Sequence, residues 1–179
     1  MPGHRVHDAL TVAAAAALVP AYYGLAHRPD AASAAILAGS CLVSGILFSP
    51  DLDLPSRSRR RWGPAGALWA PYERSVAHRS WVSHSIVVGP ILRLVYFLAV
   101  VYLLLWAGLW GVKEWLTPLD RNGLMRGWRA AAVLFLRGHP DWLLLGLLGF
   151  VIGGLVHTVA DVVWSARPWR RRGRRARRH

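Results

Sequence analysis

Four apolar segments, at about 9–26, 31–48, 86–112 and 141–164, dominate this chain and limit what it can fold into. A helix rises about 1.5 Å per residue, so roughly 20 apolar residues cross the hydrocarbon core of a bilayer. All four segments come close to or exceed that length. The expected fold is therefore all-α: a polytopic membrane protein built as a four-helix transmembrane bundle, with a cytoplasmic loop between helices 2 and 3. A cleaved signal peptide is the competing reading of the first segment. It fits less well, because the apolar part exceeds a typical signal core and the second span follows at once.

Composition bears on the same point. The chain is 54% hydrophobic and 17% charged over 179 residues, too apolar for an ordinary soluble domain. Its net charge is nonetheless +13, nearly all from arginine, with Lys113 as the single lysine. A nucleic-acid binder is also basic but does not carry several apolar stretches of this length, so no nucleic-acid partner is expected. Basic flanks around apolar spans favour anionic lipid headgroups as the partner of most loop and tail arginines. Tryptophans near segment ends (Trp62, Trp69, Trp115, Trp142, Trp164) suit interfacial belts. Gly39, Ser40, Ser44 and Gly45 in the second segment suit close helix packing.

Arginine placement orients the chain. The loop between the second and third segments holds Arg57, Arg59, Arg60, Arg61, Arg74 and Arg79, and residues 167–178 hold eight more. Positive-inside then puts both termini and the central loop in the cytoplasm. Residues 1–164 are expected to form one membrane domain carrying the site, and 165–179 a basic, disordered tail. The stretch 124–136 is expected to lie along the interface as a helix.

On that topology the histidines and aspartates gather at one membrane face. His7 and Asp8 open the first span, Asp51 and Asp53 close the second, His78 and His84 lead into the third, and His157 and Asp161 lie deep in the fourth. Cys41, the only cysteine, sits inside an apolar segment, so no disulfide or thiolate cluster within the chain is expected. Imidazoles and carboxylates together are a ligand set for a divalent metal.

His157-x-x-x-Asp161 is the most diagnostic pair. Intramembrane His and Asp are costly and usually functional, and i, i+4 spacing turns both toward one point. Gly153 and Gly154 beside it would let another helix approach. The plainer reading is a hydrogen bond from His157 to a backbone carbonyl of a neighbouring helix. Asp51 and Asp53 point the same way only if the segment after Pro50 is strand-like; otherwise they form a solvated, helix-ending acidic turn. His78 and His84 are six residues apart, so one metal can take both only across a turn; the alternative is two interfacial histidines. His4 competes with His7, and His27 and His139 read as surface residues. Arg57, Arg74 and Arg79 can hold a phosphate in a bidentate fork. Arg93, inside the third span, either snorkels to the surface or points at the site.

His7-Asp8, Pro50-Asp51-Leu52-Asp53, Arg61-Trp62-Gly63, Pro71-Tyr72, His78-Arg79-Ser80 with Ser83-His84, and His157-x-x-x-Asp161 together resemble a bacterial family of small membrane proteins described as metal-binding and of unknown function. The chain is also similar, more remotely, to membrane-bound metal-dependent hydrolases linked to the SOS response. The resemblance runs to about Trp164 and implies a bacterial inner-membrane protein that binds metal, and by looser analogy hydrolyses a phosphoester. The soluble HD-type phosphohydrolases also carry a His-Asp pair. They place a histidine well upstream of it, and here almost nothing precedes His7.

These readings combine into a metal-dependent hydrolase acting on a phosphoester, a lipid phosphoester among the candidates, at the cytoplasmic face. One to three ions, zinc foremost with manganese or iron as alternatives, would be held by His7, Asp8, Asp51, Asp53, His78, His84, His157 and Asp161. Bound metal lowers the pKa of water to about 7, which supplies a nucleophile at neutral pH. Asp51 or Asp161 would serve as general base. The alternative is a non-catalytic metal-binding or metal-sensing membrane protein with saturated coordination.

Overall fold

The computed structural model describes residues 3–53, 56–76, 85–111 and 120–166. Among them every regular element is helical, and four helices are long and apolar enough to cross a membrane. These are α1 (His4–Leu25), α2 (Ala31–Leu47) together with the turn that continues it to Asp53, α5 (Val88–Gly111) and α7 (Pro140–Ala166). The expected all-α, four-span bundle is what the chain forms. Helix α1 starts earlier than the apolar run, at His4, with Gly3 as its extended N-cap. His7 and Asp8 are therefore carried on the helix. Helix α2 is capped by Asp30, whose side chain accepts from the Ser33 amide at 2.9 Å. Hydrogen bonds with the Ser33 side chain and then its amide hold the Asp30 carboxyl below its ordinary range. Pro140 opens α7, where a missing N–H costs nothing.

Helix α2 is the centre of the bundle, packed between α1 and α7. Small residues set the spacing. A Cβ on Gly45 would overlap the Thr11 side chain of α1, and a Cβ on Gly153 the Cys41 carbonyl of α2. Buried Ser33, Ala34, Cys41 and Ser44 line the same contacts, as expected where backbones approach closely. Gly39 takes no part, since a Cβ there would meet nothing within 4 Å. Helix α5 is attached mainly at one end, where Gly89, Pro90 and Arg93 are its buried residues.

The loop after α2 is folded rather than extended. It runs through a 3₁₀ turn (Pro50–Asp53), α3 (Arg57–Arg60), a 3₁₀ segment (Gly63–Trp69) and α4 (Ala70–Ser75). These pieces close one end of the bundle with an aromatic core of Phe48, Trp69, Tyr72 and Phe150 around Leu52. Phe48 is its hub: Trp62, Trp69, Phe97 and Phe150 surround its ring edge-to-face at 5.2–5.5 Å. Trp69 is 1% exposed, and Trp62 Nε1 donates to the Leu47 carbonyl at 3.0 Å. The interfacial role expected for Trp69 therefore gives way to a core role, because the folded loop offers its ring aromatic partners, while Trp62 stays partly buried at the edge of that core. At the other end, α6 (Arg121–Gly138) is an amphipathic helix over the stretch expected for one. Asp120 caps it, accepting from the Gly123 amide.

A candidate metal centre

The centre lies where α1, α2 and α7 meet the folded loop. Helix α7 presents His157 and, one turn on, Asp161. Helix α1 presents His7. The two imidazoles stack with centroids 3.9 Å apart and planes 12° from parallel. His7 Nε2 is 3.3 Å from Asp161 Oδ1, and His157 Nε2 is 3.7 Å from Asp161 Oδ2. One donor atom from each of the three lies within 4.8 Å of the others. Asp51, on the 3₁₀ turn, brings Oδ2 to 3.5 Å from His157 Nε2.

Metal–ligand bonds of about 2.0–2.2 Å put neighbouring donors roughly 3–4 Å apart. The pairs above have that spacing. Burial supports the fit. His7 and His157 are 6% and 3% exposed, and His157 Nε2, which faces both Asp51 and Asp161, makes no hydrogen bond among the described residues. Buried imidazole nitrogens left unpaired are costly. A cation between these donors would satisfy the ring nitrogens that face the carboxylates.

A cavity of about 100 Å³ adjoins the donors. His4, Asp8, Asp51, Arg57 and Arg61 are among its walls. Arg57 Nη1 lies 2.8 Å from His4 Nε2. Arg61 bridges Asp8 Oδ2 at 2.5 Å and donates to the Ile46 carbonyl at 3.0 Å.

The sequence-predicted residues divide as follows. His7, His157 and Asp161 come together, with Asp51 beside them. Asp8 lines the cavity but is engaged by Arg61. Asp53 is 2% exposed and does not line the cavity. The strand-like geometry that would have aimed Asp51 and Asp53 alike is corrected to a 3₁₀ turn, in which alternate residues diverge. Arg57 lines the cavity, whereas Arg74 is exposed on α4 and does not. His78, Arg79 and His84 lie outside the described residues.

Arg93 is 1% exposed, so it does not snorkel to the surface, and it does not line the cavity either. It faces the Tyr72 hydroxyl, and Asp53 and Asp51 are the carboxylates whose charge acts on it. Burial also pushes the Tyr72 hydroxyl above its ordinary pKa. Sequence reasoning passed over Arg61 as a site residue and treated His4 only as a rival of His7. Arg61-Trp62-Gly63 stood out as a motif, but nothing in it foretold that the guanidinium would turn back toward α1.

No curated protein and no solved structure matches the chain. A family model does, over residues 2–171, which takes in every site residue above and reaches into the arginine tail. Metal binding is the property that family carries in its description, and His7, His157 and Asp161 form a group able to hold an ion in this chain. The chain thus belongs to the family described as uncharacterized metal-binding protein (DUF2227).

Proposed function

We propose that this protein is a metal-dependent hydrolase of a phosphoester, working at the cytoplasmic face of a bacterial inner membrane with both termini inside. The observation that carries the reading is the convergence of His7, His157, Asp161 and Asp51 on a small cavity that also has arginine walls. His7, His157 and Asp161 would hold a divalent ion, zinc foremost, with Asp51 as a further donor or as the base. Such an ion supplies Lewis acidity and lets water act as a nucleophile at neutral pH.

The chain's own groups do the rest. Asp51 is the more accessible of the two carboxylates, its side chain 37% exposed against 13% for Asp161. It is the better proton acceptor, and Asp161 the better ligand. Arg57 and Arg61 orient a phosphoryl group by charge and paired N–H donors. To do so Arg61 must share its guanidinium with Asp8, and Arg57 with His4. A cavity of this size admits a phosphoryl group but not a large leaving group. The remainder of the substrate would stay outside, near the lipid headgroups expected at that end of the spans.

The test is release of phosphate or headgroup from phosphomonoester and phosphodiester lipids by the purified protein with zinc or manganese. Activity is expected in the wild type and none above background in His157→Ala; equal rates in the two would remove the catalytic claim. A non-catalytic metal-binding or metal-sensing role is the second reading. It is favoured by the small cavity and by the partners already on Arg57 and Arg61. Metal bound by an inactive wild type, and lost in Asp51→Ala, would select it.

A further inference from the structure

Two hydroxyls also wall the cavity beside the metal centre. Ser49 follows α2 and is 1% exposed, and Ser58 lies on α3. Both line the cavity, and their Oγ atoms are 2.8 Å apart. A serine hydroxyl has one hydrogen to donate and lone pairs to accept with. One of the two hydrogens closes the bond between them. The hydroxyl that accepts it still has its own hydrogen to give, and accepting makes it the stronger donor. Around the pair stand Arg57 and Arg61. Arg57 meets His4 through Nη1, and its Nε and Nη2 edge is the one that forks two oxygens of an anion. The carboxylates on the same walls have other partners: Asp8 is engaged by Arg61, and Asp51 and Asp161 are turned to His157.

We infer that Ser49 and Ser58 bind a phosphoryl oxygen and that the ester this cavity takes is a monoester, entering by its terminal phosphoryl group. This rests on the hydrolase reading and narrows it. A terminal phosphoryl group has three free oxygens, and that of a diester has two. Three kinds of partner surround one cavity here: the hydroxyl pair, the Arg57 guanidinium and the candidate metal centre. A monoester engages all three and leads its single ester oxygen outward. A diester satisfies two of them and must lead a second chain out of a cavity of about 100 Å³. The same chemistry recognises a soluble monoester and a lipid with a terminal phosphate.

Calorimetric binding of methyl phosphate and dimethyl phosphate to the zinc-loaded, detergent-purified full chain tests this. The wild type should prefer methyl phosphate. Ser49→Ala with Ser58→Ala should weaken methyl phosphate by about tenfold or more, the worth of one hydrogen bond to a charged group. The preference over dimethyl phosphate should shrink with it, whereas a preference due to charge alone would survive. Zinc affinity should stay within about twofold, because removing both partners of a hydrogen bond leaves neither unsatisfied. A merely structural role would lower zinc and methyl phosphate binding together.

Equal affinities for the two esters, or wild-type affinity for methyl phosphate in the double variant, would overturn the inference. If the double variant does not fold, Ser58→Thr and Ser58→Ala decide. The threonine keeps a hydroxyl and should bind methyl phosphate about threefold or more tighter than the alanine; equal binding overturns the inference. Competition from phosphatidic acid in nanodiscs supports a lipid monoester as the ligand, and methyl phosphate binding without that competition supports a soluble one. Hydroxyl-dependent binding without any hydrolysis supports the subsite and removes the catalytic reading, whereas hydrolysis at the wild-type rate without either hydroxyl overturns the subsite alone.

Discussion

Both ends of this bundle carry histidine, aspartate and arginine, and among the described residues only one of them has the makings of a metal centre. At the far end Tyr22, His27, Arg28, Asp30 and Asp141 border a cavity of about 450 Å³, larger than the one beside the centre. Those side chains are satisfied locally or by solvent. Asp30 accepts from the Ser33 amide and the Tyr22 hydroxyl, and His27, Asp30 and Asp141 are exposed. At the near end His7 and His157 are buried, with ring nitrogens unpaired among the described residues and carboxylates 3.3–3.7 Å away. Residue type does not separate the two ends. What separates them is whether folding removes the donors from water before they find a partner, because desolvation makes an unpaired nitrogen costly and its capture by a cation favourable.

The contrast can be broken most directly by removing one donor from each end. His157→Ala should weaken zinc binding by on the order of 100-fold or more, since losing a ligand costs at least as much as disturbing its surroundings. Asp141→Ala should leave affinity unchanged in the same chelator competition. Equal losses would mean that metal binds at neither place described. Next in size is the metal's effect on stability. At about 100 times its dissociation constant, zinc should add about 2.7 kcal/mol to the wild type. Melts with and without chelator should therefore separate for the wild type and coincide for His157→Ala.

Packing offers a similar pair. Gly153→Ala, aimed at the Cys41 carbonyl, should cost about 1–3 kcal/mol as overpacking does, and weaken zinc by shifting α7. Gly39→Ala meets nothing and should stabilise by about 0.5–1 kcal/mol, as alanine for glycine does within a helix. The smallest effect belongs to the far-end cap. Asp30 has its pKa lowered by the Ser33 bonds, so its stabilisation is present above the ordinary value of 3.8 and is lost as pH falls through the lower folded value. Asp30→Ala should flatten that acid dependence in a melt and leave zinc binding untouched.

Much of the fold was legible before any coordinates. The four spans came within a few residues of the helices because apolar length is a local property, and the amphipathic stretch at 124–136 was visible for the same reason. His157 and Asp161 were legible because i, i+4 spacing on a helix fixes a shared face. The turn at Asp51 and Asp53 was not. Its direction depends on Leu52 being drawn into the aromatic core with Phe48 and Trp69, a contact between distant segments. The burial of Trp69 and the reach of Arg61 to Asp8, 53 residues away, escaped for the same reason.

Hydropathy and helical periodicity alone determined that this chain makes apolar helices and which residues could serve as donors, because both are set by neighbours a few positions apart. Only the tertiary structure decided which donors meet: His7 against His157, Asp51 toward them, Asp53 toward Arg93. Those choices follow from the desolvation of side chains brought together from α1, α5, α7 and the folded loop, and no local stretch of sequence carries that information.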